Sequence, residues 1–88
     1  MKNYRTLIDN CKNYFNNGDM KNAWKCWCEI NDLFLDNLDK YDTHEEEERK
    51  KVYSEYYYYM EEFANEEIYK ITDYGKELYY IEEGYREI

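Results

Sequence analysis

The residues with chemistry to offer are few in kind. One histidine, His44, precedes the run Glu45 to Glu48, and three cysteines stand at Cys11, Cys26 and Cys28. His44 beside carboxylates could join a metal site, but at the opening of a helix the plainer reading is a solvated first-turn residue. Cys26-Trp27-Cys28 has the look of a metal motif until its helix is considered. Residues two apart on a helix project about 200° from one another, so both thiolates cannot face one ion, and Cys11 adds a single further ligand. Cys28 is expected on the core side and Cys26 partly exposed. The glycines, Gly18, Gly75 and Gly84, stand alone, so the chain has no phosphate-cradling loop. Its 21 Asp and Glu residues are plentiful, yet none lies in an apolar stretch that would tune it for acid–base work. The expectation is a protein that is not an enzyme and uses no metal and no cofactor.

The carboxylates read as a surface, and they are unevenly placed. Residues 1–44 hold seven acids against six bases, a net of −1, while residues 45–88 hold fourteen acids against six bases, a net of −8. A field of that sign repels nucleic acid and anionic membrane and attracts basic proteins. No stretch reads as a secretory signal or a membrane span, and the odd cysteine count fits reduced thiols, so the expected setting is soluble and cytoplasmic. The absence of proline, with many Asn, Lys, Tyr and Glu, fits an AT-rich coding source such as a phage or a low-GC bacterium. In a phage-encoded protein that compartment would be the host cell's cytoplasm.

Eighty-eight residues make a single domain over 1–88 with a small core. Thirteen of those residues are tyrosines, whose hydroxyls want a polar partner or a route to water. Tyr4, Leu7, Ile8, Cys11, Tyr14 and Phe15 recur at three- and four-residue steps, which makes one apolar stripe on a first helix. Asn17-Gly18 supplies its stop and Asp19 a cap for the next. Met20, Ala23, Trp24, Trp27, Ile30, Asn31, Phe34, Leu38 and Tyr41 continue the period for about six turns. So short a connection makes an antiparallel helical hairpin.

A second start follows at Thr43, which stands three residues before Glu46 in capping-box spacing. Glu45, Glu46 and Glu47 each have a base four residues on, at Arg49, Lys50 and Lys51. Beyond them lies "VYSEYYYYMEEFANEEIYK". At 100° per residue Val52, Tyr53, Tyr56, Tyr59, Met60, Phe63 and Ala64 share one sector, with Tyr57 at its margin, whereas Tyr58 falls opposite with Ser54, Glu55, Glu61 and Glu62. Most of the tyrosine run is therefore core and rim, and Tyr58 is left as a candidate contact anchor among acids. From Met60 through Ile68, Ile71, Leu78 and Ile81 a helical rhythm persists, with Gly75 on the stripe and a start near Asn65 or Thr72. The same segment also alternates as two short strands about Asp73 to Lys76. The expected fold class is all-α, a small bundle of three or four helices opening with a helical hairpin. Its alternative is α+β with a short C-terminal hairpin near 67–83.

Three resemblances bear on this reading. "FNNGDMKNAW" resembles the inter-helix turn of a tetratricopeptide repeat, with Ala23 as the small residue where helices approach; no second unit follows. "YKITDYGKEL" resembles a segment of winged-helix regulators, in which a short strand would lead to a helix capped by Thr72, but no basic recognition helix precedes it. On size, acidity and the acidic, aromatic stretch "THEEEERKKVYSEYYYYMEEFANEE", the chain resembles the small phage or mobile-element inhibitors of nucleic-acid enzymes, anti-CRISPR proteins among them, which share no motif.

That last resemblance implies a basic nucleic-acid-binding protein as partner, such as a CRISPR nuclease, with no direct contact to nucleic acid or membrane. Carboxylates repeating along a helix can occupy a groove built for phosphates. The candidate face comprises Glu48, Glu55, Tyr58, Glu61, Glu62 and Glu66, extended by Glu77, Glu82 and Glu83. The other reading is an acidic helical adaptor or self-assembling protein, in which Trp24, Trp27 and Phe34 pack into a core or a homo-oligomer.

Overall fold

The computed structural model describes residues 3–40 and 46–83, with side chains to Tyr79. Four helices follow one another: α1 (Tyr4–Asn16), α2 (Met20–Lys40), α3 (Glu46–Met60) and α4 (Asn65–Glu83). The expected all-α bundle with an opening hairpin is what forms. The strand pairing near 67–83 does not, because α4 runs unbroken through it and turns Ile71 and Gly75 inward at helical spacing. The winged-helix parse falls with it. Thr72 lies inside α4, and its hydroxyl donates to the Ile68 carbonyl at 2.8 Å instead of capping a new helix. Thr43, His44, Glu45 and Tyr41 lie outside the described residues.

Local chemistry accounts for the hairpin. Asn3 caps α1 by accepting from the Thr6 amide at 2.8 Å. At the other end Gly18 takes φ 77°, the left-handed conformation that glycine adopts without a Cβ clash. There the Gly18 amide donates to Phe15 and the Asp19 amide to Tyr14, at 3.0 and 2.8 Å, which satisfies carbonyls the helix end would leave open. Asp19 then caps α2 through the Asn22 amide at 3.2 Å. Ala23 is fully buried at the crossing, where its carbonyl accepts from the Cys11 thiol at 3.4 Å.

The core lies between α1 and α2. Tyr4, Leu7, Ile8 and Cys11 face Ala23, Cys26, Trp27 and Ile30, and Phe63 and Ile71 join from the second half. Two expectations about α2 reverse: Cys26 is buried and Cys28 only half-buried. The face turned to α1 is 23-26-27-30, and that register takes in Cys26.

Helices α3 and α4 lean on this hairpin by different means. Tyrosine rings seat α3: Tyr4 packs on Tyr59 with centroids 5.3 Å apart, and Phe34 packs on Tyr56 at 4.2 Å. The Tyr56 hydroxyl donates to the Asn31 side chain at 2.7 Å, and Asn31 donates in turn to the Trp27 carbonyl at 3.0 Å. Asn31, the polar break in the α2 stripe, is thereby the partner of a half-buried tyrosine's hydroxyl. For α4 the seat is a glycine. A Cβ placed on Gly75 would lie 2.5 Å from Cη2 and Cζ3 of Trp24, so only a residue without a side chain lets that indole reach the α4 backbone. No helix among the described residues is long and apolar enough to cross a membrane.

Candidate functional site: the outer face of α3 and its elbow with α4

The elbow that orients α3 against α4 is built by cations from the first helix. Arg5 grips the Glu62 carboxylate with both terminal guanidinium nitrogens, Nη1 at 2.9 Å, and Nη1 also reaches Asp9 at 3.1 Å. The same guanidinium lies 5.2 Å from the Tyr59 ring centroid. Two turns further along α1, Lys12 donates to the Glu62 carbonyl, approaches Glu67 at 3.8 Å and lies 5.4 Å from the Phe63 ring centroid. Glu67 in turn accepts from the Ala64 amide at 2.9 Å, the reciprocal half of a capping box that starts α4. Hydrogen bonding to Arg5 holds the Glu62 carboxyl below the usual carboxylate range, and the same partnership raises the Arg5 guanidinium above its ordinary value.

These pairings sort the candidate residues. Glu62 is committed to Arg5, Glu48 to Lys51 at 3.3 Å, and Glu66 to Lys70 at 3.0 Å. Lys51 thus turns to Glu48, three residues back, rather than to Glu47 as the four-residue ladder anticipates. Glu55, Glu61 and Glu77 are exposed and have no ion-pair partner among the described residues. Tyr58 is 67% exposed and shares a face of α3 with Glu55 three residues before it, while Glu61 follows three residues later, just past the helix end at Met60. Glu82 and Glu83 belong to α4, but their side chains lie outside the described set.

The apolar sector of α3 is narrower than its spacing implies. Val52 and Phe63 are buried and Tyr56, Tyr59 and Met60 half-buried, whereas Tyr57 is 59% exposed and Ala64 is exposed. Ala64 leaves the sector because α3 ends at Met60 and the chain turns before it. Tyr57 stacks on Tyr53 at an interplanar angle of 18° and meets Tyr56 edge-on, so exposed rings continue the core cluster outward. Sequence reasoning missed Arg5, Lys12 and Glu67. The glutamate three residues after Ala64 was a readable capping signal, but the reach of Arg5 and Lys12 across the bundle was not.

At the elbow the surface dips into an open groove of about 500 Å³ lined by Tyr57, Met60, Glu61, Phe63, Asn65 and Ile68. The thiols are poorly placed for chemistry. Burial, with a smaller push from Cys26, raises Cys11 to about 12, and burial also raises Cys26 and Cys28. Among the described residues no three His, Cys, Asp or Glu side chains converge as a metal site requires. The exposed outer side of α3 carries acids and phenol rings. Comparison with protein-family models, with curated proteins and with solved structures gives no match.

Proposed function

We propose that this chain is a small acidic binding protein that inhibits a basic nucleic-acid-binding protein, such as a CRISPR nuclease, by presenting its carboxylate- and tyrosine-rich α3 face to the groove that would hold nucleic acid. The observation that carries the reading is Tyr58, exposed between two carboxylates without ion pairs, on a chain of net charge −9. Unpaired carboxylates attract a basic groove over distance, and the ring supplies the apolar contact that charge alone does not. Glu48, Glu62 and Glu66 act in this reading through the field they add, since each is already paired within the chain.

The decisive experiment captures partners from a low-GC bacterial lysate and repeats the capture with Glu55→Lys and Glu61→Lys combined. Expected is a nucleic-acid-binding partner, released by added salt or competing DNA or RNA and lost with the double variant. A partner retained by the double variant, or one indifferent to salt, would sink the proposal. A second reading is an acidic adaptor or self-assembling protein, and it draws on the apolar surface away from α3. Leu35 on α2 is 54% exposed, and Tyr69 on α4 is 69% exposed.

A further inference from the structure

In the groove at the α3–α4 elbow an apolar floor, an aromatic wall and an unpaired charge meet. Met60 and Ile68 are half-buried and Phe63 almost fully buried, so the floor is apolar and anchored in the core. Tyr57 forms one side with most of its surface in water, and Glu61, exposed and unpaired among the described residues, stands on the rim with Asn65. Its shape is held from behind, because Lys12 and Arg5 bind the turn at Glu62, and Glu67 fixes the first turn of α4. The cations that rigidify the turn face Glu62, Phe63 and Tyr59, and among the described residues no Lys or Arg lines the groove.

Resting on the binding reading above, we infer that this groove is the specificity pocket for an arginine-bearing apolar segment of the protein partner. The arginine stem lies on Met60 and Ile68, and its guanidinium meets the Glu61 carboxylate and the face of the Tyr57 ring. The chemistry of the lining selects that occupant. An arginine pairs an apolar stem with a planar cation that binds carboxylate and stacks on phenol, and each part finds its complement here. A purely apolar segment would leave Glu61 facing it without a partner, and a nucleic-acid strand would bring phosphates to a carboxylate rim. A second copy of the chain would bring another net charge of −9 to the same place.

The test titrates a synthetic arginine–leucine peptide into 15N-labelled protein at low salt and follows amide shifts, with a glutamine-for-arginine peptide as control. Shifts should concentrate at Tyr57, Met60, Glu61, Asn65 and Ile68, and the glutamine peptide should bind at least about tenfold more weakly. Glu61→Lys and Tyr57→Ser, both at exposed positions, should each weaken binding by about tenfold. Asp36→Lys makes the same charge change at an exposed position on α2, outside the groove and the candidate face, and should cost no more than about twofold. Equal losses for Glu61→Lys and Asp36→Lys would reduce the effect to net charge and overturn the pocket. Equal binding of the glutamine peptide, shifts confined to Glu55 and Tyr58, or no binding at all would also overturn it. So would dilution of the protein alone moving the groove resonances, since a second copy would then be the occupant. The lysate capture is also run with Glu55→Lys alone, which leaves the groove lining intact, so failure of the pocket and failure of the proposed function are read apart.

Discussion

The two halves of this domain are held by different physics. In the hairpin, aliphatic, sulfur and indole side chains interlock along α1 and α2, and the start of α1 and both helix ends at the turn are capped by residues of the hairpin itself. In α3, α4 and the turn between them the buried apolar side chains thin to Val52, Phe63 and Ile71, and attachment passes to phenol rings, one glycine seat and cations lent by α1. The difference teaches how a half with a net charge of −8 can fold on so small a core. Part of its acid is paired with Arg5 and Lys12 of the nearly neutral half, and Glu55, Glu61 and Glu77 stay exposed to water.

That contrast can be broken first by removing core volume. Ile30→Ala in the hairpin should lower stability by about 2 to 5 kcal/mol, measured by urea unfolding, because Ile30 is fully buried. Val52→Ala in α3 should cost less, about 1.6 kcal/mol for two methyl groups. Equal losses would erase the asymmetry. Next comes the seat of α4. Gly75→Ala should destabilise by about 1 to 3 kcal/mol through overpacking against Trp24, although alanine is by itself the better helix former. Adding Trp24→Leu should remove much of that penalty; a stabilising Gly75→Ala would mean that α4 does not rest on the indole.

Smaller still is the effect of charge reversal on the exposed face. Glu55→Lys with Glu61→Lys should leave thermal stability within about 0.5 kcal/mol while binding is lost, whereas Glu62→Lys should disturb the elbow itself because Arg5 holds Glu62. The least effect belongs to acid. Glu62 has its folded pKa lowered by Arg5, so its contribution is complete above the ordinary glutamate value and is lost as pH falls through the lowered one. The stability gap between the wild type and Glu62→Gln should therefore narrow as pH falls across that window. A gap constant with pH would remove the linkage between Arg5 and the elbow.

Much of the fold was legible because it is local. Periodicity placed the α1 and α2 stripes, and Asn17-Gly18-Asp19 marked the turn. The C-terminal third was ambiguous for a physical reason. "EIYKITDYGKELYY" alternates well enough for strands, and a glycine on a helical stripe looks like a defect until an indole is found against it. Cys26 and Cys28 exchanged places because α2 carries α1, α3 and α4 on several sides, so a single stripe does not rank its faces. Of the candidate site, Glu55, Tyr58 and Glu61 could be read from helical angle alone. That Glu48, Glu62 and Glu66 are paired could not, since the choice among nearby cations depends on where α1 lies.

By itself the sequence determined the helical character, the hairpin, the acidic second half and the isolation of Tyr58 from the apolar sector, because each follows from residue type at a fixed angular step. Tertiary structure alone decided which carboxylates remain free, why Gly75 must lack a side chain, and that the α3–α4 turn opens into a groove. Those outcomes depend on contacts between residues as far apart as Arg5 and Glu62 or Trp24 and Gly75, and such contacts arise only when helices with no shared local pattern are brought together.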